Sequence, residues 1–166
     1  MDPSVILRLC ILIILLALSA FFSSSETALT TVNVHTIRAL VEDGNRQAKR
    51  VLQLIENPAA MLSSILIGNN LVNISATSLA TTLAIDVFGS AGAGIATGVL
   101  TILVLIFGEI TPKTYATIKN TNLALRFGPV IYYVTKVLTP VVIVINKLST
   151  GLLMLLRIDA KQSKRS

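Results

Sequence analysis

The chain has 166 residues, 53% of them hydrophobic and only 13% charged, with a mean hydropathy of +0.78. Soluble domains carry about 25% charged residues, so this composition excludes an ordinary soluble globule and specifies an integral membrane protein with room for one domain. The net charge of +6 reads as basic loops retained in the cytoplasm beside membrane lipid, and no nucleic acid partner is expected.

The single cysteine, Cys10, excludes a disulfide within the chain, and the single histidine, His35, excludes a His/Cys metal cluster. Any metal this protein handles is therefore oxygen-ligated. The set also offers no HExxH motif and no Ser/His/Asp constellation, so no enzymatic activity is expected.

The first span covers about residues 4–30. Its apolar run from Val5 to Phe22 is long for the core of a signal peptide, and Phe22-Ser23-Ser24-Ser25-Glu26 is not a small-x-small cleavage pattern, so a retained helix is expected. Arg8 near its start can snorkel to the headgroups. At the other end, four hydroxyls (Ser23, Ser24, Ser25, Thr27) and the Glu26 carboxylate crowd the last turns. Such a run serves either as helix capping and small-residue packing or as a source of hard oxygen donors.

Over residues 33–57 apolar positions recur at helical spacing among Arg38, Glu42, Arg46, Lys49 and Arg50, interrupted by Glu42-Asp43-Gly44-Asn45. This predicts a cytoplasmic helix-turn-helix, with Gly44 just past a helix end and the basic face near anionic lipid. Pro58 opens the second span, about 58–85, which carries no charge before its end but includes Ser63, Ser64, Gly68, Asn69, Asn70 and Asn73. These amides are either interhelical hydrogen-bond glue, worth about 0.6 kcal/mol per contact, or the lining of an ion cavity. Asn69 and Asn73 share one helix face.

After a glycine-rich turn comes the third span, about 93–117. Gly94 and Gly98 form a small-xxx-small face suited to close helix packing, possible across a dimer axis. The span ends in Phe107-Gly108-Glu109-Ile110-Thr111-Pro112-Lys113. A carboxylate at the end of an uncharged run costs roughly 2.5 to 3.5 kcal/mol on insertion scales and persists with a partner. Pro112 has no N–H to give the Gly108 carbonyl, which is left free to accept something else. Carboxylate and free carbonyl together make half of an oxygen-lined cation site.

The apolar stretch 120–157 is long enough for a fourth span, but basic residues flank it on both sides: Lys113, Lys119 and Arg126 before, Arg157, Lys161, Lys164 and Arg165 after. Equal sidedness predicts a bent amphipathic belt along the inner interface, with a conventional fourth crossing as the alternative. The fold class expected is thus all-α and membrane-integral: three transmembrane helices, the cytoplasmic pair, and the belt, forming a transmembrane domain over 1–158 before a basic tail at 159–166. The amino terminus lies outside and the carboxy terminus in the cytoplasm. With this threading, Ser23 to Ser25, Ser63 to Asn70 and Gly108-Glu109 reach similar depth, a donor set suited to Mg²⁺ or another hard cation.

Three segments carry a family resemblance: Phe22-Ser23-Ser24-Ser25-Glu26-Thr27-Ala28, Gly68-Asn69-Asn70-Leu71-Val72-Asn73 and Gly108-Glu109-Ile110-Thr111-Pro112-Lys113. In order and spacing they resemble the signature segments of the transmembrane domain shared by bacterial CorC and the animal cyclin M (CNNM) magnesium transporters. The resemblance implies a homodimer in the inner (plasma) membrane, a Mg²⁺ site between the helices, and Mg²⁺ efflux coupled to Na⁺ entry. It makes Ser23, Ser24, Asn69, Asn70, Gly108 and Glu109 the ligand candidates, with Ser64 beside them. Family members usually continue into cytoplasmic CBS modules that bind ATP, so this chain is expected to be the transmembrane part preceding them. Carriage by alternating exposure, with Gly68 and the Gly108 to Pro112 stretch as hinges, is the reading adopted. A membrane Mg²⁺ sensor or scaffold that moves nothing is the alternative.

Overall fold

The computed structural model describes residues 2–156, so Arg157 and the basic tail lie outside the described residues. Within them every regular element is helical. Helix α1 (Pro3–Thr31) starts at Asp2, whose carboxylate accepts from the Ser4 N–H, with proline filling a first-turn position that has no donor to lose. Two short helices follow, α2 (Val34–Glu42) and α3 (Arg46–Ile55). Each is capped by an asparagine: Asn33 Oδ1 accepts from the His35 N–H at 2.9 Å and Asn45 Oδ1 from the Ala48 N–H at 3.0 Å. Gly44 joins them at φ +88°, a left-handed backbone that a β-carbon would strain.

Helix α4 (Pro58–Phe88) leads through a turn into α5 (Gly92–Leu103). The end of the third apolar stretch is a π-helix, Val104–Ile110, which passes directly into α6 (Thr111–Ile118). The sequence marks this point as weak through Gly108 and Pro112; the structure gives the weakness its form, a seven-residue segment in which the Thr111 N–H reaches back five residues to the Ile106 carbonyl. Helix α7 (Asn120–Leu155) runs on through Pro129 and Pro140.

Four helical stretches are long and apolar enough to cross a membrane: Pro3–Thr31, Pro58–Phe88, Gly92–Ile118 and Asn120–Leu155. Helix α7 therefore has the dimensions of a crossing as well as those of a belt.

Helix α1 is the central element, touching α3, α4, the π segment, α6 and α7. Its buried side chains cluster toward its second half, from Ser19 to Leu29. There Phe22, Ala28 and Leu29 join Ile37, Val51 and Leu54 of the short helices, Met61 and Ile65 of α4, and Leu123, Ala124 and Ile131 of α7. The first half of α1 is instead exposed, with Ile13 at 65% and Ile14 at 58%. Exposed isoleucine over several turns is what a lipid-facing surface requires, so packing is concentrated at one end of the bundle. At the other end, Arg8 of α1 forms an ion pair with Asp86 of α4.

Helix α7 is held on α3 at Gly128, where an added Cβ would lie 2.5 Å from Val51 Cγ2. Gly128→Val should therefore lower stability by about 1–3 kcal/mol, read as a lower thermal midpoint in detergent. Val51→Ala in the same background should restore part of the loss, and an unaltered midpoint for Gly128→Val would show that α3 and α7 do not pack here.

Candidate functional site

Three elements meet at Ser19. The residue is buried on α1, and its hydroxyl donates to Asn73 Oδ1 of α4 at 2.9 Å, with Asn69 Oδ1 at 3.5 Å. A hydroxyl has one proton to give, so the shorter contact is the hydrogen bond that counts. The same Oγ faces the π segment, where a Cβ on residue 108 would lie only 2.8 Å away. Gly108 is buried, and any side chain there would push α1 off the segment.

Glu109 follows immediately and is half-buried. Its Oε2 lies 3.4 Å from Lys113 Nζ, one turn on, in a pair with side-chain exposures of 26% and 46%. Pairs of this i,i+4 kind contribute about 0.3–0.5 kcal/mol in water, too little to fix the carboxylate against a divalent competitor. Glu109 lines an open groove of about 370 Å³ between α4 and α5, together with Asn73, Thr77, Thr97 and Thr101. The three threonine hydroxyls donate to carbonyls four residues back, Asn73, Ala93 and Thr97 in turn, at 2.8, 2.9 and 2.6 Å. Their protons are thus used inside the helices, and what remains facing the groove is oxygen lone pairs. Asn73 belongs to both the Ser19 contact and this groove.

The expected ligand residues are distributed as follows. Asn69 and Gly108 come together around Ser19, and Glu109 is joined to them through Asn73. Ser23 and Ser64 are each 0% exposed, and neither Oγ has a hydrogen-bond partner. Ser23 is one turn beyond Ser19 on the same face of α1, and Ser64 one turn before Gly68 on α4, where a Cβ would meet the Phe22 ring at 2.6 Å. A buried hydroxyl without a partner costs about 1–3 kcal/mol, and two flanking one helix contact require a reason. Ser24 is buried but satisfied within its own helix, donating to the Ala20 carbonyl at 2.7 Å. Asn70 is exposed and stands outside the Ser19 group.

Ser19 and Asn73 were not among the ligand candidates read from the sequence. A signal for both existed, since each lies one helical turn from a candidate, Ser19 before Ser23 and Asn73 after Asn69. The Lys113 pairing is also new, although its i,i+4 spacing was legible. No group of three or more His, Cys, Asp or Glu side chains is assembled among the described residues, so the donors on offer are neutral oxygens and one carboxylate.

Comparison with known proteins assigns the family. Residues 10–166 match the model of the cyclin M transmembrane N-terminal domain. The chain belongs to that family. Among curated cyclin M relatives it is 41% identical over 155 residues to a UPF0053 protein of Haemophilus influenzae, covering 93% of this chain and 37% of the relative. It is 40% identical over 141 residues to the UPF0053 inner membrane protein YfjD of Escherichia coli, covering 85% of this chain and 33% of that protein. A polyamine export protein of Escherichia coli is 39% identical over 71 residues, 43% of this chain and 15% of its own length. The chain thus spans about a third of the length of these two UPF0053 relatives, and it is a multi-pass membrane protein of the cyclin M family.

The Ser19–Gly108 approach can be tested directly. Gly108→Ala should destabilise the protein by about 1–3 kcal/mol, and Ser19→Ala by about 1 kcal/mol. Combined, they should cost less than the two together, because the Oγ with which the new methyl collides is gone. Strictly additive thermal shifts would show that residues 19 and 108 do not touch.

Proposed function

We propose that this chain is the membrane part of a Mg²⁺ efflux carrier, probed from both sides of the membrane in turn and driven by Na⁺ entry. The observation that carries the proposal is the pair of fully buried, unpartnered hydroxyls, Ser23 and Ser64, on the two helices that meet at Ser19. Oxygen atoms without donors to satisfy are what a hard cation accepts in exchange for its water. Asn69, Ser24 and the Gly108 carbonyl are further neutral donors, and Glu109 supplies the one negative charge, leaving Lys113 as the metal enters. A single carboxylate leaves a divalent ion incompletely neutralised, which favours release over storage. The π segment and Gly68 are the places where α1, α4 and the third span move past one another.

In this reading three of the four apolar stretches cross, with the amino terminus outside and the carboxy terminus in the cytoplasm. Helix α7 lies along the inner face as a belt, a placement supported by its packing against α3, whose Arg46, Lys49 and Arg50 keep it out of hydrocarbon. The working unit is a homodimer in the inner membrane, and in the longer protein CBS modules and ATP regulate it. A second reading is favoured by the relative named as a polyamine export protein. An elongated polyamine would use the open groove at Glu109 and its threonines instead of the buried hydroxyls.

Calorimetry and proteoliposome flux separate these. Mg²⁺ should bind the wild type, and Glu109→Gln should abolish binding while helix content by circular dichroism is unchanged. Ser23→Ala and Asn69→Ala should weaken binding less, since neutral oxygens contribute less than a carboxylate. Wild-type affinity in Glu109→Gln would misplace the site. Spermidine bound in preference to Mg²⁺ would favour the polyamine reading, and Mg²⁺ binding without Na⁺-dependent flux would favour a sensor.

A further inference from the structure

A second groove, of about 490 Å³, runs between α4 and α7 on the far side of Phe22. Its lining is apolar except for one phenol: Phe22, Gly68, Leu71, Val130 and Val137 form the walls and Tyr133 stands among them. Every outward surface of a membrane protein meets lipid, so an apolar groove alone says little. What distinguishes this one is the pair of cations gathered on Tyr132, the chain neighbour of the lining residue Tyr133. The Arg50 guanidinium of α3 lies 5.8 Å from the Tyr133 ring centroid and 4.5 Å from that of Tyr132, while Lys136 Nζ lies 4.9 Å from the same Tyr132 ring. Two cations thus converge on one ring. Neither has a carboxylate within ion-pair reach among the described residues, where the recorded ion pairs are Arg8 with Asp86 and Lys113 with Glu109.

Cations held together by aromatic faces still repel one another, and an anion beside them removes that cost. Their depth follows from α3. A ten-residue helix carrying Arg46, Lys49 and Arg50 cannot lie in hydrocarbon, so Arg50 marks the headgroup level at the point where α3 meets α7. A hydrocarbon-lined trough that opens beside two unneutralised cations at that level matches one kind of molecule in both parts.

We propose that the α4–α7 groove binds an anionic phospholipid, its acyl chain against Phe22, Leu71 and Val137 and its phosphate at Arg50 and Lys136. Phe22 packs on Gly68, so the acyl chain would lie against the contact between α1 and α4. The lipid site itself does not depend on which cation the protein moves.

The test uses the purified full chain in detergent, with phosphatidylglycerol or phosphatidylcholine added, read by native mass spectrometry for retained lipid and by thermal midpoint. Phosphatidylglycerol should be retained in preference and raise the midpoint more. The double variant Arg50→Gln/Lys136→Gln should lose roughly thirtyfold in phosphatidylglycerol affinity, the worth of two surface cations, with phosphatidylcholine unaffected. Val137→Trp, which fills the groove and leaves both cations, should also displace the lipid. Equal retention of the two lipids by the wild type, or undiminished phosphatidylglycerol in the double variant, would overturn the proposal. So would an equal midpoint rise from glycerol phosphate alone, and so would a change of oligomeric state in Val137→Trp without loss of lipid, which would assign the groove to a second copy of the chain.

Discussion

The close approach of α1 to the π segment at Ser19 and Gly108 is the constraint on which the rest of the arrangement hangs. Helices in lipid gain nothing from the hydrophobic effect by associating, because the solvent is as apolar as their side chains. They associate where small residues let backbones come near and where hydrogen bonds would otherwise go unmade. Both occur at one spot here. A Cβ on residue 108 would lie 2.8 Å from the Ser19 oxygen, and that oxygen's proton goes to Asn73 on α4. One side chain on the central helix thereby fixes the π segment on one flank and α4 on the other.

The register shift in the third span belongs to the same device. A π turn inserts a residue, so all that follows is presented on a different face from the one an unbroken α-helix would give. Gly108 is buried against α1, and Glu109, the next residue, opens onto the groove shared with Asn73. The carboxylate is left with a weak partner in Lys113, and hydroxyls on two neighbouring helices are left with none. Polar groups kept this incompletely satisfied are costly.

The packing is lopsided, and the lopsidedness has consequences. Side chains interlock around the second half of α1, the short helices and the start of α7, while the first half of α1 presents isoleucine to lipid. A bundle tight at one end and lipid-supported at the other can spread at the loose end with little loss of packing. The Arg8–Asp86 pair joins α1 to α4 at that end. At the tight end, Arg50 reaches from a polar helix onto the tyrosines of α7.

Much of this was legible in the residues themselves. The apolar stretches, the polar pair around Gly44 and the weak point between Gly108 and Pro112 each rest on local chemistry: hydropathy over twenty residues, amide caps, a missing N–H. The membrane character, the helical class, the family motifs and the polar segments to watch were therefore set by the sequence alone. Which of the adjacent candidates turn inward was not. Asn70 faces out while Asn73 faces Ser19, Ser24 bonds to its own helix while Ser23 does not, and the weak point takes the form of a π-helix. Neighbouring positions on a helix differ by about 100° in direction, and in hydrocarbon no amphipathic stripe announces which direction is the interior. Only the docking of three helices against one another, decided by where a glycine lets two backbones meet, selects the face.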